Sequence, residues 1–183
     1  VGAWGVGNFV GAAYVFEKSG GTWTQTAKLT ASDAADNHKF GRSVAVSDGI
    51  VIVGAPENGD GAVYIFEKSG GGSWTQTEKL TPSGTSYLGH SVSISNSVVV
   101  AGAYGDTNNK GAAFIFTKSG GSWTQTAKVT SDDVAANDYF GWSVSISESV
   151  IVAGAKKESS AKGAAYVFEN SGGSWTQSAK LTA

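Results

Sequence analysis

The sequence predicts an all-β fold, a β-propeller of four-stranded antiparallel blades with about three and a half blades present. Three observations carry this expectation. One phrase recurs four times, as GAAYVFEKSGGTWTQTAKLT, GAVYIFEKSGGGSWTQTEKLT, GAAFIFTKSGGSWTQTAKVT and GAAYVFENSGGSWTQSAKLT, starting at Gly11, Gly61, Gly111 and Gly163. A spacing of about 50 residues marks an array of supersecondary units. Each unit reads as four short strands between turn residues, with no helical period anywhere.

The second unit shows the four strands in order. Phe40 to Ser47 alternates around Val44 and Val46 and predicts the first strand, and Asp48-Gly49 predicts a tight hairpin. Ile50 to Ala55 is a continuous apolar run, as in a strand buried on both faces. After the loop PENGD, Gly61 to Phe66 is rich in β-branched and aromatic residues. Beyond a Ser-Gly turn, Trp74 to Leu80 alternates Trp74, Gln76, Glu78 and Leu80 against Thr75, Thr77 and Lys79. It is the most polar strand, so it is placed at the outer edge, with Lys79 discouraging edge pairing. Burial is expected to fall from the first strand to the fourth, and the recurring Tyr64, Phe66 and Trp74 positions to pack between blades. A β-sandwich is the rival fold, but sandwiches rarely repeat sequence this closely.

Three further pairs of marks carry a resemblance. Phe40-Gly41 with Val53-Gly54-Ala55-Pro56, Leu88-Gly89 with Ala101-Gly102-Ala103, and Phe140-Gly141 with Ala153-Gly154-Ala155 resemble the FG-GAP repeat of integrin α-chain propellers. The likeness is closer still to the bacterial and algal extracellular forms, and it covers essentially the whole chain. It implies a propeller, usually of seven blades, in proteins that are extracellular or at the cell surface. Integrin-type propellers carry calcium in D-x-D-x-D-G-x-x-D loops between the first two strands of some blades. Here those connections are Ser47-Asp48-Gly49, Ser95-Asn96-Ser97 and Ser147-Glu148-Ser149, too short and too poor in carboxylates for a cation that takes about six to eight oxygens. No cofactor is therefore expected, and the loops do not support calcium.

The repeats divide the segment 1–183 into approximately 1–35 (partial), 36–82, 83–131 and 132–183. The first unit lacks its inner part, so further blades are expected, from the same longer chain or from other copies. Neither end looks capped. The absence of Met points the same way, to a processed product or a piece of a longer chain.

In a meander, the two-to-three and four-to-one loops share one end of the blades. Those loops vary: WGVGNFV, PENGD, YGDTNNK and KKESSAK, then TASDAADNHK, TPSGTSY and TSDDVAANDY. The turns at the opposite end are monotonous Ser-Gly sequences. A constant scaffold with variable loops is a common form of binding surface, although loops also drift when nothing constrains them. The residue after each FG-type pair is Arg42, His90 or Trp142, which places a cation, an imidazole and an indole around one mouth. With Trp4 and Tyr104 these are the candidate ligand-binding residues, for a sugar or an anionic group; the plain alternative is a tolerant, exposed position. Tyr87 and Tyr139 are further aromatics of the variable loops. The recurring Trp23, Trp74, Trp123 and Trp175 fit packing better than sugar stacking. For a metal, Asp60, Asp106 and Asn108 are weak candidates, and Asp33, Asp36, Asp132, Asp133 and Asp138 read more simply as turn-forming residues.

Composition narrows the function classes. A net charge of −2 argues against a nucleic-acid partner, and no apolar run approaches a membrane span. Zero Cys excludes disulfides and thiol catalysis. There is no GxSxG, Walker loop or HExxH, and His38 and His90 fall in different registers, so no enzyme is expected. The favoured reading is a non-enzymatic extracellular module for adhesion, recognition or surface assembly, with a protein or glycan ligand on the variable-loop face. The alternatives are a structural repeat building a fibre or coat, and a glycan-binding lectin.

Overall fold

Two-residue turns and β-rich flanks dictate the local structure. Asp48 and Gly49 both adopt positive φ (45° and 75°), the backbone of a tight hairpin whose twist matches its strands. The computed structural model describes residues 1–158 and 162–182. It contains one incomplete and three complete antiparallel sheets. The first holds β1 (Gly2–Ala3), β2 (Ala12–Ser19) and β3 (Thr22–Leu29). The second holds β4 (Ser43–Ser47), β5 (Ile50–Ala55), β6 (Ala62–Lys68) and β7 (Trp74–Leu80). The third holds β8 (Ser91–Ser95), β9 (Val98–Ala103), β10 (Ala112–Ser119) and β11 (Ser122–Val129). The fourth holds β12 (Phe140–Ser147), β13 (Val150–Ala155), β14 (Ala164–Ser171) and β15 (Ser174–Leu181). Strands run in sequence order from the inside outward, with β4, β8 and β12 adjacent to one another and the WTQT strands at the outer edge. These are the blades of a β-propeller. Among the described residues, the two-to-three loops hold the four-residue helical turns α1 (Val6–Phe9) and α2 (Asp106–Asn109), which contain left-handed residues.

Three apolar layers fill the gaps between blades. Ala13 and Leu29 of the first blade meet Phe40, Val53, Tyr64 and Phe66 of the second. Ile52, Val63, Ile65 and Leu80 meet Leu88, Val99, Phe114, Phe116 and Trp123. Val100, Ala113, Ile115 and Val129 meet Phe140, Ile151, Tyr166 and Phe168. Each blade thus shows an aliphatic face forward and an aromatic face backward.

Two expectations need correction. Burial does not fall from the first strand outward: β5 and β6 are almost wholly buried, while β4 is half-buried, because inner and outer strands each have only one hydrogen-bonded neighbour. Trp74 and Leu80 do not share a face either. A β-bulge at Thr77 shifts the pairing between Ile65 and Phe66, so Trp74 turns back toward the first blade and Leu80 forward toward the third. The shift recurs at the same place in every blade.

Candidate functional site

The variable-loop end is stitched by backbone bonds between neighbouring blades. Lys39 N–H donates to Phe9 O (2.8 Å), Tyr139 N–H to Asn109 O (3.0 Å) and Leu88 N–H to Asp60 O (3.2 Å). The residue before each FG-type pair, Lys39, Tyr87 or Tyr139, has φ of 55°, 61° or 58°, an uncommon conformation for such side chains. Recurrence in three blades makes it a property of the fold.

The innermost strands then deliver a row of side chains to the mouth. The Arg42 guanidinium lies 3.1 Å from His90 Nε2, and His90 Nδ1 lies 3.2 Å from the Trp142 carbonyl. A carbonyl only accepts, so Nδ1 carries the proton and Nε2 receives the Arg42 N–H. Burial, then the charge of Arg42, pushes the His90 pKa below its ordinary value, with Lys156 acting the same way. The imidazole is therefore neutral and fixed as one tautomer.

Aromatic rings close around it. His90 is 4.4 Å from Trp142 and 4.7 Å from Tyr104, centroid to centroid. Tyr104 stacks on Tyr87 at 4.7 Å and meets Trp142 at 4.8 Å and Tyr139 at 5.7 Å. Lys156 Nζ stands 3.8 Å over the Trp142 ring, and Lys157 Nζ 4.9 Å over Tyr139. Burial first, then neighbouring Tyr87 and Glu57, raises the Tyr104 phenol. Arg42, His90, Trp142 and Tyr104 thus come together. Trp4 makes its own group, stacked on Phe9 at 5.7 Å with Lys39 above it, and Lys39 in turn holds Glu57 at 2.5 Å. Part of the fourth variable loop, residues 159–161, lies outside the described residues.

The carboxylates serve another purpose. Asp33 accepts from Tyr64 Oη (2.6 Å), Lys79 Nζ (2.6 Å) and Asn58 Nδ2 (3.2 Å), clasping the loop between the first two blades to the second. Burial alone would raise the Asp33 pKa, but these donors outweigh it and hold it well below the carboxylate range. Lys79 is thus a clasp residue rather than an edge guard. The fourth blade repeats the device: Lys180 bridges Asp133 (2.6 Å) and Glu158 (2.7 Å), and Lys180 with Ser131 lowers Asp133 to about 2. In the third blade Gly84 and Phe114 replace Asp and Tyr together, and buried Asp106 takes over Lys128 at 2.7 Å. Of the three weak metal candidates, then, Asp106 holds a lysine. Asp60 is exposed and contributes its backbone carbonyl, and Asn108 is exposed on α2. Among the described residues, no group of three or more His, Asp or Glu side chains converges as a metal site would.

Lys156, Lys157 and the clasps were missed from sequence. The clasp was visible in principle, since Asp33 and Asp133 recur with Tyr64 and Tyr166 and vanish with Phe114.

Among the described residues no helix is long and apolar enough to cross a membrane. No curated protein matches the chain. The profile of the FG-GAP repeat matches residues 23–66, 74–116 and 123–168, each match running from an outer strand through the four-to-one loop and the FG-type turn to the third strand of the next blade. FG-GAP repeats in general belong to extracellular modules of adhesion and recognition, generally non-enzymatic. With the matches covering most of its length and each spanning a blade-to-blade junction, the chain belongs to the FG-GAP repeat family.

Proposed function

We propose that the chain is a non-enzymatic recognition module, working outside the cell or at its surface, that binds a protein or glycan ligand at the variable-loop end. The observation that carries this reading is the row Arg42, His90, Trp142 and Tyr104, gathered from three blades and flanked by Lys156. Its rings already use much of their faces on each other, so the groups left to a ligand are the Arg42 and Lys156 cations and the exposed edge of Tyr87. That favours a ligand presenting an anionic group. No cofactor enters the proposal, because Asp33, Asp106 and Asp133 are committed to lysines.

The test is a screen of glycans and surface proteins, followed by Arg42→Ala and Trp142→Ala. Each is expected to weaken binding at least about tenfold, as a central interface residue does. Binding that survives both changes but is lost on altering Lys18-Ser19-Gly20 at the opposite end would overturn the reading.

A further inference from the structure

The outer strands present a backbone donor beyond the sheet edge at each recurring tryptophan. Opposite Trp74, Trp123 and Trp175 stand Lys68, Lys118 and Asn170, whose N–H groups turn inward to Gly49 O, Ser97 O and Ser149 O, each at 2.9 Å. In an antiparallel ladder such a pair exchanges no bonds, so the tryptophan N–H points out of the sheet. At the second junction the chain answers this donor itself. Glu78, from the outer strand of the second blade, sets both carboxylate oxygens on Trp123 N–H, at 3.0 and 3.1 Å, and Trp123 is 6% exposed.

The first junction has the donor without that acceptor. Ala27, opposite Val15, holds the register position that Glu78 holds opposite Ile65, and a methyl group accepts nothing. A groove of about 330 Å³ opens there, at the lower end of small-ligand sites. Leu29 and Phe66 line it with apolar surface, and half-buried Trp74 adds an indole. Gln76 lines it with an amide that is already fixed, accepting from Ser32 N–H (2.9 Å) and donating to Ser32 Oγ (3.0 Å). Thr75 contributes a hydroxyl, and Lys28 adds positive charge at the rim.

We infer that this groove is a subsite for an acidic saccharide, whose carboxylate accepts from Trp74 N–H as Glu78 does from Trp123 and whose ring lies against the Trp74 indole. The groove is wider than a carboxylate arm needs. An indole beside hydroxyl and amide groups suits a ring with C–H bonds on its face and hydroxyls on its edge. An acidic peptide adding a strand would need a regular ladder along β7, which the bulge at Thr77 interrupts. The third junction supplies a counter-example. Ala127 stands in the place of Glu78 there too, and a groove of about 450 Å³ opens beside Trp175, but Asp132 replaces Ser32 and repels an anion. The subsite lies on the outer rim, away from Arg42 and His90, so it does not depend on the reading of the mouth.

The test follows the backbone amides of Trp74, Trp123 and Trp175 by NMR while digalacturonate is added to the chain. The Trp74 amide is expected to shift and those of Trp123 and Trp175 to stay in place. The neutral disaccharide digalactose is expected to bind at least about tenfold more weakly, since it lacks the charge-assisted hydrogen bond. Ala27→Glu is expected to abolish the response by placing the chain's own carboxylate on Trp74 N–H. Glu78→Ala is expected to free the Trp123 amide and bring it into the response, a gain that loss of folding cannot imitate. A silent Trp74 amide, equal binding of the neutral sugar, or a response that survives Ala27→Glu would overturn the inference. So would a Trp74 shift of the same size with triglutamate, which would make an acidic peptide the ligand.

Discussion

The first and third blades carry nearly the same aromatic triplet, Tyr14, Phe16 and Trp23 against Phe114, Phe116 and Trp123, and meet opposite fates. Trp123 is 6% exposed and Phe116 3%; Trp23 is 65% exposed and Phe16 41%. The third blade has a neighbour behind it, whose Ile52, Ile65 and Leu80 receive the triplet. The described first blade has none. A repeat is therefore half of an interface, and its aromatic residues stabilise a junction rather than a blade, as in arrays whose stability sums over nearest neighbours.

The sharpest way to break this comparison is to truncate both indoles. Trp123→Ala is expected to lower the unfolding free energy by about 3–5 kcal/mol, as for other buried aromatics. Trp23→Ala should cost less than about 0.5 kcal/mol, as at an ordinary surface position. Urea denaturation measures both; equal losses would mean that the triplet stabilises its own blade.

Strand order, the hairpin turns and the outer position of WTQT were legible in the sequence because turn residues and alternation are local. The meeting of Arg42, His90 and Trp142 was legible because the repeat puts them in register. What could not be read locally was direction. The bulge at Thr77 reverses the face of Trp74 without any Gly or Pro to announce it. The partners of Lys79 stand 46 and 21 residues away, in places where Asp and Asn also suit turns.

The clasps sharpen the comparison at a smaller scale. Tyr64→Phe removes a donor to Asp33 and is expected to cost about 1 kcal/mol, whereas the second junction already functions with Phe114. The third junction adds a pH dependence. Asp133 titrates at about 2 in the folded chain against 3.8 for a free Asp, so its contribution is complete above about pH 4 and is lost as pH falls toward 2. Because the pair is solvent-exposed, the loss should stay below about 1 kcal/mol. Asp133→Asn should flatten that part of the acid limb, and an unchanged limb would remove the clasp from the account of stability.

At the mouth the sign comes from a base. His90 has a pKa below its ordinary 6.5, so the neutral imidazole contributes stability that is full above that value and declines as pH falls below it. Arg42→Ala removes the neighbouring charge and should move the His90 titration upward in NMR. A titration that stays in place would leave burial and Lys156 as the lowering causes and uncouple the first two residues of the row.

The smallest effect separates the two ends of the blades. At the turn end the connection between β4 and β5 is closed by Asp48 and Gly49 alone, and the Asp48 carboxylate takes a hydrogen bond from Ser47 at 3.0 Å. At most one such carboxylate per turn falls far short of the roughly six to eight oxygens that calcium gathers. At the loop end, the acidic residues best placed to gather, Asp33, Asp106 and Asp133, each face a lysine, whose ammonium would have to be displaced before a cation entered. EDTA is therefore expected to leave Tm unchanged. A fall of more than about 3 °C, which for a chain of this size corresponds to about 1 kcal/mol, would show a bound cation. Comparing Asp48→Asn with Asp106→Asn would then locate it: the variant that removes the EDTA response marks the end of the blade where the ion sits.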